Sequence, residues 1–129
     1  MNLPVPVKTD HPVLDGPLVT AVLDYLGCPP GPPTLRYLNR LLHAYVRRVP
    51  WESVSRIVKR HATSLTADCP RWPEEFWRDA IRYGLGGTCF ESNLAFFSLL
   101  SALGFEGYMT VNDMGDSRAC HASTVIRID

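Results

Sequence analysis

The chain has 129 residues, 46% of them hydrophobic, and its 13 lysines and arginines balance 13 aspartates and glutamates. That length and apolar content suit one domain, or part of one, with a real core, and they exclude a disordered tail. The formal net charge of zero supplies no basic surplus of the kind that nucleic acid or an anionic membrane recruits.

Residues 1–17, interrupted by prolines and by Asp10 and Asp15, read as an extended lead-in. They lack a basic start followed by an apolar run, so no secretory signal is expected. No stretch approaches the length of apolar chain that spans a bilayer, and the cytoplasm is the expected compartment. Leu18, Val19, Val22, Leu23 and Leu26 recur at helical spacing and predict a short helix over 18–26, stopped by Gly27. The Pro-rich stretch 28–33 denies the backbone helical dihedrals and donors, and is a loop. Thr34 is placed to cap a helix that runs to about Arg48 and ends before Pro50, with Leu35, Leu38, Leu41, Leu42 and Tyr45 on one face. Residues 51–60 are ambiguous between loop and short helix. The basic run Arg47, Arg48, Arg56, Lys59 and Arg60 reads as a solvated helix face, with a phosphate or cofactor contact as the alternative.

Residues 61–72 form a loop. Pro73, followed by Glu74 and Glu75, opens a helix that turns Phe76, Trp77, Ala80 and Ile81 inward and stops near Gly84. A Gly86-Gly87 turn with Thr88 as N-cap leads into the most apolar helix, 89–103, carrying Phe90, Leu94, Phe97, Leu99, Leu100 and Leu103. Strands follow at 105–111 and 120–128, joined by a turn over 112–117. Helices first and antiparallel strands second predict an α+β fold: a helical part over 18–104, then the first strands of a sheet or barrel over 105–129.

Cys28, Cys69, Cys89 and Cys120 show no secreted context and no CxxC spacing, so they read as free thiols rather than disulfides or zinc ligands, and no metal is expected. Cys89 follows a Gly-Gly turn at a helix start, where unpaired backbone N–H groups favour negative charge. The thiolate is the nucleophilic form of cysteine, and the same N–H groups suit an oxyanion. A small buried residue opening a core helix is the bland alternative. A nucleophilic cysteine needs a base. Among His11, His43, His61 and His121, only His121 opens a strand after the cysteine helix, the arrangement of cysteine peptidases and transglutaminases. A hydrogen-bonded structural histidine is the alternative there. Strand alternation puts His121, Ser123, Val125 and Arg127 on one face, with Cys120 on the other as a structural residue.

Taken in order, Pro33-Thr34-Leu35, Leu42-His43, Val49-Pro50-Trp51-Glu52, Gly86-Gly87-Thr88-Cys89-Phe90-Glu91-Ser92-Asn93, Leu103-Gly104-Phe105 and His121 resemble the arylamine N-acetyltransferases. The GGxCFExN piece is the specific part. The resemblance implies Cys89 as acyl-accepting nucleophile, His121 as its base and a cysteine-protease-like arrangement. It also implies Phe90, with Gly87 and Thr88, around the acyl group and its oxyanion. Acetyl-coenzyme A is the implied co-substrate, with no permanently bound cofactor, and an arylamine or hydrazine is the acceptor in a ping-pong reaction.

Two features depart from the family pattern. Leu85 stands where the family has an arginine before the glycines, and cannot make its ionic contacts. The family's catalytic aspartate lies in a strand segment beyond the last residue given, so the chain is expected to be incomplete relative to the family. Asp129 lies eight residues past His121, roughly 26 Å along an extended strand, too far for a hydrogen bond; Asp113 and Asp116 are nearer substitutes. An exposed strand edge and self-association are expected where a further strand would pack. A transglutaminase-like or amidase-like thiol enzyme, and a non-catalytic binding module on the same fold, are the competing readings.

Overall fold

The computed structural model describes residues 13–128, so His11, Asp129 and most of the expected lead-in lie outside the described residues. Within them five α-helices precede a two-stranded antiparallel sheet, an α+β order. α1 spans Gly16–Leu26, earlier than apolar spacing predicts, because the Asp15 carboxylate caps it by accepting the Leu18 N–H at 2.8 Å and Pro17 suits the first turn. It ends at Gly27, whose φ of 69° is left-handed. α2, Leu35–Arg48, is capped by Thr34, whose hydroxyl accepts the Tyr37 N–H at 3.2 Å. α3 covers Val54–Ala62, resolving the ambiguous stretch as helix, and a 3₁₀ turn, Thr66–Asp68, sits in the expected loop. α4 is Pro73–Tyr83 and α5 is Cys89–Ala102.

The core lies between α1, α2, α4 and α5, around Trp77, Phe76, Leu41, Leu99, Leu100 and Val22. Tyr45 of α2 packs its ring 4.5 Å from Phe96 and edge-on to Trp77 at 5.8 Å. The Trp77 indole N–H donates to the Ala95 carbonyl at 2.9 Å, so α4 and α5 are pinned by a hydrogen bond inside an aromatic contact. The buried face of α2 is Tyr37, Leu41 and Tyr45, whereas Leu35 and Leu42 are exposed. A strict four-residue step selects one row, and Leu42 lies about 100° around the helix from Leu41. Ile81, expected inward, is exposed, as is Phe90 of the apolar helix, while Ala95 and Phe96 are buried on α5.

β1, Glu106–Met114, pairs with β2, Ser117–Arg127, in a register that sets Asn112 opposite His121 and Met114 opposite Ser117. The expected six-residue turn shrinks to Gly115–Asp116. The Asp113 carboxylate accepts the Ala119 N–H at 2.7 Å across the hairpin, and Gly115 takes a φ of 57°. Ala119 itself has a φ of 49°, the only non-glycine in the left-handed region among the described residues. Further along β2, Ala122 is buried and the Thr124 hydroxyl lies 3.3 Å from the Asn93 amide oxygen, so this face meets α5. Asn112 donates to the Ser123 hydroxyl at 3.2 Å on the opposite face, which His121 shares by alternation.

Leu99 is fully buried and Leu42 is 45% exposed, although both sit in apolar helical patterns. Urea denaturation is expected to show Leu99→Ala losing about 2–5 kcal/mol and Leu42→Ala losing no more than about 0.5 kcal/mol.

Candidate active site

The site is built on the turn before α5. The segment after α2 runs beside it: Gly87 N–H donates to the Pro50 carbonyl at 3.3 Å, and Glu52 N–H donates to the Gly87 carbonyl at 3.3 Å. Glycine is needed here for space. A Cβ at Gly86 would stand 1.7 Å from the Pro50 carbonyl oxygen, and one at Gly87 would stand 3.0 Å from the Phe76 ring and 3.1 Å from the Glu91 carboxylate. The room left by the missing side chains is therefore filled by the protein's own backbone and core.

Two charged side chains, half-buried Glu52 and buried Arg71, hold this turn. The Glu52 carboxylate accepts the Ser55 N–H at 2.9 Å, the Ser55 hydroxyl at 2.5 Å and the Gly86 N–H at 3.1 Å. Burial alone would raise its pKa, but the bonds from Ser55 and Gly86 and the charge of Arg71 outweigh that and hold it below the usual carboxylate range. Arg71, only 3% exposed, donates from Nη2 to Glu91 at 2.9 Å and to the Gly86 carbonyl, and from Nη1 to Asp79 at 3.2 Å. Its own backbone N–H reaches Glu91 Oε1 at 2.9 Å. Burial would lower the guanidinium, yet Glu91 first and Asp79 second keep it above the ordinary arginine range.

Cys89 is the first residue of α5 and is buried. Thr88 is the N-cap residue, but its side chain makes no capping bond, so the first N–H groups of the helix are not taken by a side-chain cap. The Ser92 N–H returns to the Thr88 carbonyl at 2.9 Å, closing the first turn. Gly87 differs: its N–H is already engaged by the Pro50 carbonyl. The Cys89 thiol points at the Cys120 carbonyl, 3.8 Å away, the residue before His121. Asn93, one turn further, donates to the Cys89 carbonyl at 2.9 Å and to the Ala122 carbonyl at 3.1 Å. Cysteine and histidine segments are thus joined through backbone carbonyls on both sides of His121. The imidazole itself, half-buried, takes no side-chain hydrogen bond among the described residues, and neither the Cys89 thiol nor any described carboxylate bonds to it.

The other histidines sit apart. His43 contacts Arg47 at 3.3 Å on the exposed side of α2, and His61 is exposed on α3. Cys28 is buried with its thiol toward the Arg40 carbonyl, Cys69 is half-buried, and Cys120 is exposed rather than built into the core. Among the described residues no cluster of three or more His, Cys, Asp or Glu side chains could hold a metal ion. Beside the site a cleft of about 420 Å³ opens between α5 and β1, lined by Trp72, Phe90, Leu94, Phe97, Met109 and Val111. Phe90, 45% exposed, forms its wall next to Cys89.

Arg71 and Asn93 have roles that the sequence did not announce. Asn93 stood in the CFESN piece without a task, and its spacing four residues after Cys89 is the signal that could have found it. Arg71 lies between prolines in a loop, with no periodicity to link it to Glu91.

Because the Glu52 pKa is lowered on folding, its stabilising contribution is present above the ordinary carboxylate range and is lost as pH falls through the lowered value. Thermal melting between pH 6 and pH 3 is expected to show wild-type stability falling more steeply than that of Glu52→Gln, which starts lower. Parallel pH curves for the two proteins would remove Glu52 as the acid-sensitive strut.

A family model described as N-acetyltransferase matches residues 34–126. No curated protein matches the chain. Among solved structures, the arylamine N-acetyltransferase from Mycobacterium abscessus is similar, with a TM-score of 0.63 and 26% identity over 86% of this chain. The match spans 39% of that protein's length. It brings the cysteine-protease-like order of helices before sheet with it. With the family model covering Thr34 to Ile126 and the same helix-then-strand architecture in the solved structure, the chain belongs to the arylamine N-acetyltransferase family.

Proposed function

We propose that the chain is an acyltransferase that moves an acetyl group from acetyl-coenzyme A to an arylamine or hydrazine through a Cys89 thioester. The observation that carries this reading is the placement of Cys89 at the uncapped start of α5, with its thiol against the backbone beside His121. In the first half-reaction the Cys89 sulfur attacks the acetyl carbonyl while His121 takes the thiol proton. The oxyanion is held by the N–H groups of Cys89 and Phe90. The tetrahedral intermediate then collapses, the bond to coenzyme A breaks, and the imidazolium returns the proton to the departing thiol. In the second half-reaction the amine attacks the thioester, His121 accepts the amine proton, and the Cys89 sulfur leaves and regains a proton. Thr88 and Gly87 shape the turn below the acyl group. Acetyl-coenzyme A is consumed as a co-substrate, and small molecules in the cytoplasm are the partners.

His121 shares the strand face of Asn112 and Ser123 by alternation, and the backbone carbonyls on either side of it are bonded by α5. No described carboxylate orients it. In serine triads loss of the carboxylate function costs about 10⁴-fold in rate, and the thiol's readier ionisation makes the loss smaller here. Turnover by this chain alone is accordingly slow. The unbonded His121 ring favours a second reading, a non-catalytic module of the family that binds a small molecule in the α5–β1 cleft. Association of two chains through strand edges is part of either reading.

Intact mass after incubation with acetyl-coenzyme A tests the proposal. A gain of one acetyl group is expected, abolished in Cys89→Ser and slowed in His121→Ala. Amide hydrolysis without coenzyme A dependence would turn the reading toward a transglutaminase-like or amidase-like enzyme. A chain whose Cys89 is alkylated by iodoacetamide but never acetylated is the non-catalytic module.

A further inference from the structure

We infer that Arg71 is a positioning residue for Cys89, clamping the turn before the cysteine to the helix after it. The inference rests on the acyl-transfer reading of Cys89 and deepens it. Gly86 precedes Cys89 and Glu91 follows it, and a single Arg71 nitrogen, Nη2, bonds both the Gly86 carbonyl and the Glu91 carboxylate. The Arg71 backbone N–H takes the second Glu91 oxygen at 2.9 Å, so Glu91 is gripped at both ends. Asp79 of α4 holds Nη1 at 3.2 Å and fixes the plane of the guanidinium, which lies 5.2 Å over the Phe76 ring. The fork geometry matters: a planar group with donors at set angles can bridge a carbonyl and two carboxylates, and a point charge cannot.

Leu85 gives this context. Residue 85, just before the glycines, carries no charge, and the charge bonded to the turn comes from Arg71 in the loop after α3. Glu52 meets the same residue from its other side, bonding the Gly86 N–H, so the two peptide groups flanking the Gly86 Cα are both fixed. A buried ion pair is poor evidence for stability, since burying the charges costs much of what their attraction returns. What this pair does specify is the direction in which Cys89 leaves the turn. A shift of about 1 Å in a reacting group can cost about 10²-fold in rate.

The test is burst acylation of Cys89 in the full chain by p-nitrophenyl acetate, followed by nitrophenolate release at several ester concentrations. The double variant Arg71→Met/Glu91→Gln removes both buried charges, so neither is left unpaired, and its folding is checked by circular dichroism. The maximal acylation rate is expected to fall about a hundredfold while the half-saturating concentration stays unchanged, the signature of an interaction that matters in the transition state. Arg71→Lys keeps the charge without the fork and recovers part of the rate. It gives the same comparison if the double variant does not fold. Added guanidinium, well below denaturing concentration, should raise the rate of Arg71→Ala and not that of the exposed Arg78→Ala. A folded double variant with an unchanged maximal rate, or with its loss confined to half-saturation, overturns the inference. If the wild-type chain gives no burst, the acyl-transfer reading fails instead. Iodoacetamide labelling of Cys89 relative to exposed Cys120 then decides Arg71: a ratio lower by about fivefold, within the loss misplacement allows, supports it, and an unchanged or higher ratio sinks it.

Discussion

Gly86 has no room for a side chain, because the Pro50 carbonyl oxygen occupies the space a Cβ would need. That close approach fixes where the end of α2 meets the start of α5, and the rest of the site is arranged around it. Neither Gly86 nor Gly87 is among the glycines with positive φ, so backbone conformation does not demand glycine at either position. Once the two segments touch, Glu52 can bond the Gly86 N–H and Arg71 can bond its carbonyl, and the residue becomes a fixed post from which α5 departs. An alanine there would have to separate the segments, and the bonds from Glu52 and Arg71 to Gly86 would lengthen together.

α5 is apolar in composition, yet its orientation is set by polar grips. Tyr45 of α2 hydrogen-bonds Ser92, and burial pushes the tyrosine pKa up to about 12 despite that bond, so the phenol stays a neutral donor across the working pH range. Asn93 binds β2 through the Ala122 carbonyl and the Thr124 hydroxyl. Glu91 faces Arg71. A typical hydrogen bond adds only about 1 kcal/mol of net stability. Their larger effect is on rotation: a smooth apolar cylinder could turn about its axis, and these side chains allow one setting.

Punctuation in the sequence was legible because it acts locally. Thr34 caps α2, Pro73 opens α4, and Gly27 and Gly84 end their helices in the left-handed region, each from the chemistry of one residue and its near neighbours. The placement of Cys89 at the first residue of α5 was readable for the same reason. The inward face of α2 was less so, since Leu42 and Leu41 are equally apolar and only the packing of Tyr45 against Trp77 and Phe96 chooses between them. The length of the hairpin turn was misjudged because an Asp113 carboxylate reaching across to Ala119 N–H extends the pairing past residues that look like loop formers. Arg71 was invisible: its partners come from α4, α5 and the glycine turn, and no local pattern encodes a meeting of three elements.

The same distinction bears on His121. Bonds from α5 to β2 run through main-chain carbonyls, Cys120 under the Cys89 sulfur and Ala122 under Asn93, so the fold fixes the backbone around the histidine. It does not fix the ring. A β-strand sends alternate side chains to opposite faces, and the face that α5 covers belongs to Ala122 and Thr124. The imidazole is half-buried and free of side-chain hydrogen bonds among the described residues. Placement of the Cys89 thiol in this chain is a property of tertiary structure, anchored by the buried Arg71–Glu91 pair, whereas placement of the His121 ring is a property of one side chain. Any group that bonded the ring would convert the second into the first, and under the proposed acyl transfer that conversion is what would separate a thiol that can be alkylated from an enzyme that turns over.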